Sequence, residues 1–240
     1  MFIFAKQGER SIINLMDTQI PTLIAKVALD GKLTARQVRR LMIDMSMRNG
    51  KLGTGSSHEF MRRRTAMMIW PDLRPILKDV RWAIVGGVAT RAYMPERMTK
   101  DMDILVREKD GDEVIKQLQN AGFRLISQLG VPGYLMVAPD GTELDIIFGK
   151  YPWLKEALAT RGQDPAGYPV IKLPYLVMMK MEAQRVRDLG DLGSMLGWAS
   201  DADLDEVRAV VAKYAPEDLE DLEALIFIGK REQELPPDAK

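Results

Sequence analysis

Apolar residues follow two different rhythms along this chain. Between residues 82 and 148 they come in short runs, and from residue 173 they recur at the spacing of helical faces. The short runs predict five strands, over 82–86, 102–106, 123–128, 134–138 and 143–148. Helices are expected over 88–94, opened by a glycine turn, and over 112–121, stopped by Gly122. Pro139-Asp140-Gly141, between the last two strands, signals a hairpin. The order β-α-β-α-β-β-β predicts a small mixed sheet with helices on one side, not a long doubly wound sheet. Beyond it Pro174 marks a helix start, and helices are expected over 175–187, 188–198, 203–214 and 216–229. The tail 232–240, with Pro236-Pro237, reads as frayed.

Ahead of the sheet, residues 11–49 read as helical, with Thr34 an N-cap and Asn49-Gly50 a stop. Gly50 to Ser57 reads as a flexible linker. It lacks the Gly-Lys-Ser/Thr ending of a phosphate loop, and no apolar strand precedes it. A basic helix is expected over 58–69, interrupted at Trp70-Pro71. The division expected is a helical N-terminal extension (1–80), an α/β core of the α+β kind (81–172) and a C-terminal helical bundle (173–240).

With 240 residues, 46% of them hydrophobic and 28% charged, the chain has the make-up of a soluble globular protein with ample core. It contains no cysteine, which excludes disulfides and thiolate metal sites. The apolar start is too short for a signal peptide and no run of 18 apolar residues occurs, so a cytoplasmic protein without a membrane span is expected. Net charge is zero but unevenly spread. Residues 1–80 hold 14 Lys and Arg against 7 Asp and Glu, whereas residues 201–240 hold 5 against 12. Arg36, Arg39, Arg40 and the Arg62-Arg63-Arg64 run could lie along a polyanion such as RNA. The alternative is that they are solvated helix faces pairing with the acidic C-terminal region.

The candidate chemistry lies in Ile84-Val85-Gly86-Gly87 and, 14 positions after the second glycine, in Asp101-Met102-Asp103. Alternate strand residues share a face, so Asp101 and Asp103 can converge on one point. Asp145, inside the apolar strand Leu144-Asp145-Ile146-Ile147, can join them across the hairpin. Gly86 and Gly87 would let backbone N–H groups cradle a phosphate, because no Cβ holds it away. Carboxylates embedded in apolar strands need a counter-charge, and Mg²⁺, held by carboxylates, phosphate oxygens and water, supplies one. These residues point to phosphoryl or nucleotidyl transfer, with Asp145 helping to activate a hydroxyl. Against this stands the reading of the same aspartates as sheet-edge salt bridges to Arg97, Lys100 or Arg81.

Gly-Gly, then Arg-x-Thr-x-Asp-x-Asp (Arg97, Thr99, Asp101, Asp103), then a later strand aspartate, resembles the signature of the nucleotidyltransferase fold shared with DNA polymerase β. Residues 173–192 are similar to the Lys-x-x-Ala…Arg-Asp-x-x-Asp helix pair of AbiEii-like bacterial nucleotidyltransferases, here Lys180, Ala183, Arg187, Asp188 and Asp191. Many of those are the toxin halves of type IV toxin–antitoxin pairs. The resemblance covers roughly residues 80–230. It implies that Asp101, Asp103 and Asp145 bind Mg²⁺ or Mn²⁺ and that Lys180 contacts the phosphates of an NTP substrate. Asp188 belongs to the same nucleotide site, and Arg97 and Thr99 fit the pattern, with Arg97 steadying the phosphates or the sheet. Lys180, Gln184, Arg187, Asp188 and Asp191 share one face if the helix continues past 187. The helical block of about 80 residues ahead of the glycine strand departs from the family pattern.

The function expected is NMP transfer from an NTP to a hydroxyl acceptor, an RNA 3′ end and tRNA above all, in a toxin that has an antitoxin partner. The alternatives are an adenylyltransferase acting on an antibiotic-like small molecule or a protein, and a catalytically silent binding partner. His58, the only histidine, has no triad or zinc set around it. The 16 methionines read as core filler, and Trp70, Trp82, Trp153 and Trp198 as packing anchors. Tyr175, near Lys180, is the aromatic expected to stack on a base.

Overall fold

Two parallel strands carry the centre of the structure. In the computed structural model, which describes residues 33–49, 70–95, 97, 99–183 and 185–234, β2 (Asp101–Arg107) runs beside β5 (Glu143–Gly149) over their whole lengths. The expected linker at 50–57, basic helix at 58–69, His58, the Arg62–Arg64 run, helix before residue 33 and last six residues of the tail lie outside the described residues. On one side β5 pairs antiparallel with β4 (Gly133–Val137), and β4 with β3 (Arg124–Gln128). On the other, β2 pairs antiparallel with β1 (Trp82–Val85), which is followed by β7 (Pro169–Val170) and β6 (Gly162–Gln163). The sheet order is β3-β4-β5-β2-β1-β7-β6.

Five of these seven strands lie where the apolar runs place them. β6 and β7, two residues each, escaped because so short a pair leaves no periodic signal. The hairpin forms at Pro139–Gly141: Gly141 sits at φ +91°, and Thr142 N donates to Asp140 Oδ1 at 2.9 Å.

Eight helices are found among the described residues. They are α1 (Ala35–Asn49), α2 (Gly86–Ala89), α3 (Gly111–Asn120), α4 (Leu154–Ala159), α5 (Leu173–Ala183), α6 (Val186–Trp198), α7 (Asp201–Tyr214) and α8 (Leu219–Gln233). In α3, Val114 and Leu118 stand one turn apart and are both buried, which makes it an amphipathic cover for the sheet. Phe123 N donates to Leu118 O and Gly122 N to Gln119 O, so the helix closes in a Schellman turn with Gly122 at φ +91°. Ser200 and Asp203 cap α7 reciprocally.

Helices lie on both faces of the sheet, not on one. A Cβ at Gly111, the start of α3, would meet the Phe148 ring at 2.6 Å, and one at Gly149 would meet Leu154 of α4 at 2.9 Å. Phe148 and Gly149 are successive in β5 and point to opposite faces, so α3 and α4 cover opposite sides. The missed cover is α4, six residues in a stretch without an obvious helical repeat.

The expected helix 175–187 also breaks earlier. Arg185 is extended, at φ −77° and ψ 145°, and α6 begins after it. A second close contact then joins α6 to α8, where a Cβ at Gly229 would stand 2.1 Å from Gly193 O. Trp70, Leu73 and Leu77 are buried in the same core as β1.

The N-terminal helix α1 docks on α8 through charge. Buried Arg39 donates to Asp221 Oδ2 at 2.8 Å, to Met181 O at 2.5 Å and to Asp218, while Arg40 donates to Asp221 Oδ1 at 2.7 Å and to Glu220. Arg36 donates to the carbonyl of Glu217 and lies 3.8 Å from Asp218. Arg39 is therefore buried against the acidic C-terminal helices of its own chain, while Arg36 and Arg40 pair with them from partly exposed positions. None of the described helices is long and apolar enough to cross a membrane.

Candidate active site

Register brings the acidic residues together. Asp103 stands opposite Asp145 in the parallel β2/β5 pair, and Asp101 opposite Glu143, so Asp101, Asp103 and Asp145 emerge on one face. Oxygen atoms of the three all lie within 4.8 Å of one another. Val85 of β1 stands opposite Asp103, which sets the following glycine turn directly over that carboxylate.

Gly86 adopts φ +63°, and a Cβ there would lie 1.9 Å from Asp103 Oδ2. Both facts demand glycine at this position. The Gly87 N–H donates to the Asp103 carboxylate. A Cβ at Gly87 would meet Thr99 Oγ1 at 2.9 Å and the Arg97 guanidinium at 3.2 Å. Thr99 Oγ1 in turn donates to Asp101 Oδ1 at 2.7 Å. The glycine pair, Arg97, Thr99, Asp101 and Asp103 thus form one contiguous group.

Burial, followed by the charges of Asp101 and Asp145, pushes the Asp103 carboxyl up to about 7. Burial and Asp101 also raise Asp145. Among the described residues no Lys or Arg reaches ion-pair distance of these three carboxylates, because the nearby cations are held elsewhere. Arg97 forks onto Asp191 at 2.7 and 2.8 Å, Lys180 Nζ donates to Asp191 at 2.6 Å and Asp188 at 3.0 Å, and Arg185 donates to Asp188 at 2.6 Å. Arg185 still tempers the charge of Asp103 from a distance, but no direct salt bridge to the triad forms among the described residues. Three hard oxygen donors short of positive charge fit a divalent cation.

The helix break explains the second cluster. Because the chain is extended at Arg185, α6 folds back on α5, and Lys180 meets both Asp188 and Asp191 across the junction. Lys180 is 4% exposed and Asp188 1%. Burial alone would raise Asp188, but hydrogen bonds from Arg185 and Lys180 outweigh it and hold the carboxyl below its usual range. Arg187 does not contact Lys180; it is exposed and lines a hollow on the outer side of the cluster with Arg97, Asp191, Trp198 and Glu232.

A cleft of about 580 Å³ opens beside the aspartates, bounded by Gly86, Asp103, Asp145, Lys180, Arg185 and Tyr151. Arg185, about half exposed, is the cation there that the sequence motif does not single out. Its signal was its place just after the end of α5. Tyr175, expected to meet a base, is instead buried behind Trp153, with ring centroids 5.4 Å apart. Among the described residues two rings line the cleft, Phe148 near the end of β5 and Tyr151, one of an i, i+2 aromatic pair directly after that strand.

No protein-family model matches the chain, and no curated protein matches it significantly. Several solved structures resemble it. A crystal structure of ANT(2″)-Ia in complex with adenylyl-2″-tobramycin is 19% identical, with a TM-score of 0.37 over 62% of this chain and 88% of that one. The lincosamide antibiotic adenylyltransferase LnuA, lincomycin-bound, is 12% identical, with a TM-score of 0.36 over 72% and 99%. A CCA-adding enzyme with CTP is 12% identical, with a TM-score of 0.34 over 75% and 51%. Likenesses of this strength do not fix a family, and the functional reading rests on the residues of the chain itself.

Proposed function

We propose that this chain is a metal-dependent nucleotidyltransferase that moves an NMP from an NTP to a hydroxyl acceptor and releases pyrophosphate. The observation that carries the reading is the triad of Asp101, Asp103 and Asp145, converging within 4.8 Å with no Lys or Arg at ion-pair distance among the described residues. These three would hold Mg²⁺ or Mn²⁺. Bound there, the metal supplies charge that favours the ionised acceptor hydroxyl and the departing pyrophosphate. Thr99 orients Asp101, and the glycine turn leaves room for the triphosphate beside Asp103. Arg185 lies where phosphate oxygens would arrive, and we keep Gly87, Arg97, Lys180 and Asp188 in the nucleotide site as the frame around it. The acceptor oxygen forms its bond to the α-phosphorus as the bond to pyrophosphate breaks, and Asp145 takes the hydroxyl proton.

For the acceptor we propose an RNA 3′ end, tRNA first, in an AbiEii-like toxin with an antitoxin partner. Support comes from the Lys180–Asp188–Asp191 junction, which gives the quoted motif a physical purpose. A cytoplasmic location belongs to the same reading, since NTP, Mg²⁺ and tRNA meet there. One observation favours a second acceptor class, a small molecule: Arg39 is buried and the partly exposed Arg36 and Arg40 are already engaged by Glu217, Asp218, Glu220 and Asp221, which leaves less of their charge to meet RNA.

The test is label transfer. Each α-³²P-NTP is incubated with Mg²⁺ or Mn²⁺, total tRNA and the protein, beside an Asp103→Asn control. Label in tRNA that disappears with the variant supports the whole reading. Label only in small molecules or protein supports the chemistry and overturns the tRNA acceptor. No label in any fraction from folded protein, with antibiotic and RNA acceptors both supplied, overturns the enzyme.

A further inference from the structure

We propose that Tyr151 is the surface on which the nucleobase stacks and that Glu182 reads the base edge, so that the cleft prefers NTPs whose base carries an exocyclic amino group over UTP. This rests on the nucleotidyltransferase reading and adds to it the choice of nucleotide.

Three rings stand in a row between the core and the cleft. Tyr175 packs on Trp153 at 5.4 Å and 28°, and Trp153 packs on Tyr151 at 4.4 Å and 5°. The first two rings are each 3% exposed. Tyr151 is half-buried and lines both the 580 Å³ cleft and an adjoining hollow of about 300 Å³. Among the described residues no ring covers its second face. A row that ends at a cleft wall presents a π-face whose plane is fixed from behind by two packed rings. Every base has a face to lay on it, so the row gives affinity without choosing among bases. Gly86, Asp103 and Asp145 line the same cleft, so a base seated on Tyr151 can direct its phosphates toward the aspartates.

Choice comes from the neighbouring carboxylate. Glu182 is exposed, lines the cleft and the hollow as Tyr151 does, and carries enough field to act on the Tyr151 phenol, which burial and this charge together raise. Among the described residues no Lys or Arg pairs with it. A carboxylate only accepts hydrogen bonds. Adenine, cytosine and guanine each offer it an amino group, whereas uracil sets its single N–H between two carbonyl oxygens that repel the charge.

The experiment is equilibrium binding of non-hydrolysable ATP, CTP, GTP and UTP analogues, with inorganic tripolyphosphate as the base-free probe, all in Mg²⁺. Wild type, Tyr151→Phe, Tyr151→Leu and Glu182→Gln are compared after thermal melting shows each folded. Tyr151→Phe should bind every NTP as wild type does, because the ring and not the hydroxyl stacks. Tyr151→Leu keeps bulk but not stacking and should weaken every NTP about tenfold, leaving tripolyphosphate unchanged. Wild type should bind the UTP analogue about fivefold more weakly than the others, and Glu182→Gln should bring the four within about twofold. NTP binding undiminished in Tyr151→Leu, an equal loss of tripolyphosphate in that variant, or wild-type UTP binding as tight as the rest overturns the proposal. Wild type that binds tripolyphosphate but no NTP more tightly overturns the base site and leaves the phosphate site standing. Wild type that binds neither overturns the nucleotidyltransferase reading as well.

Discussion

Gly86 and Asp103 share a space that admits no further atom: a Cβ on residue 86 would stand 1.9 Å from Asp103 Oδ2. The turn and the carboxylate can be occupied together only while residue 86 is glycine.

Gly86→Ala should therefore abolish nucleotidyl transfer and lower stability by about 2 kcal/mol or more, from the positive φ together with the collision. Gly190→Ala is the contrast, because a Cβ at Gly190 meets nothing within 4 Å and the residue lies inside α6. It should leave the melting temperature unchanged or raised. Thermal melting and label transfer on the two variants decide the point.

Acidity at Asp103 sets a pH dependence with a definite sign. Its carboxyl ionises near 7 in the folded protein and near its ordinary 3.8 when unfolded. Between those values the folded chain holds a proton that the unfolded chain has lost. The stability of metal-free protein should thus fall as pH rises from about 4 to about 7 and level off above. Asp145 shifts in the same direction. Metal uptake requires the ionised form, so affinity should climb with pH up to about 7 and binding should release protons. Calorimetry in buffers of different ionisation enthalpy counts those protons. Asp103→Asn should melt higher than wild type at pH 8 and transfer no nucleotide.

The buried junction predicts an ordering among its variants. Lys180→Met leaves Asp188 beside Arg185 and Asp191 beside Arg97, so each carboxylate keeps a cation. Asp191→Ala removes a carboxylate that serves both Arg97 and Lys180 and should destabilise more, by about 3 kcal/mol or above. Urea unfolding of the two proteins gives the order directly.

Where α6 crosses α8, backbones meet without side chains between them. Gly229→Ala would set a Cβ 2.1 Å from Gly193 O, and Gly197→Ala one 2.4 Å from Gly229 O. Either should cost about 2–4 kcal/mol by forcing the helices apart. Gly193→Ala, whose nearest contact is the end of the Glu232 side chain at 4.0 Å, should be mild by comparison.

Much of this site could be read before folding. Asp101 and Asp103 alternate within an apolar run, and their convergence with Asp145 needs only that two such runs pair in parallel. The reversal at Arg185 was less legible: a break was expected only after Arg187, since Ala183 to Arg187 contains neither Gly nor Pro to mark the turn. Only the three-dimensional return of Asp188 and Asp191 to Lys180 explains why the chain turns there. β6 and β7 were too short to register, and Tyr175 stands in sequence close to Lys180 yet stacks under Trp153. Proximity along a chain is a poor guide to which aromatic ring reaches a cleft. The pairing of Arg36, Arg39 and Arg40 with the last helices was visible only as opposite charge at the two ends of the sequence.

Arg39 joins three parts of the chain at one guanidinium: it grips Asp218 before α8, Asp221 within it, and the carbonyl of Met181 near the end of α5. Glu182, the next residue, borders the cleft. One guanidinium thus ties the first described helix to the residue next to the cleft wall, so the position of α1 and that of the wall are set by the same buried contact.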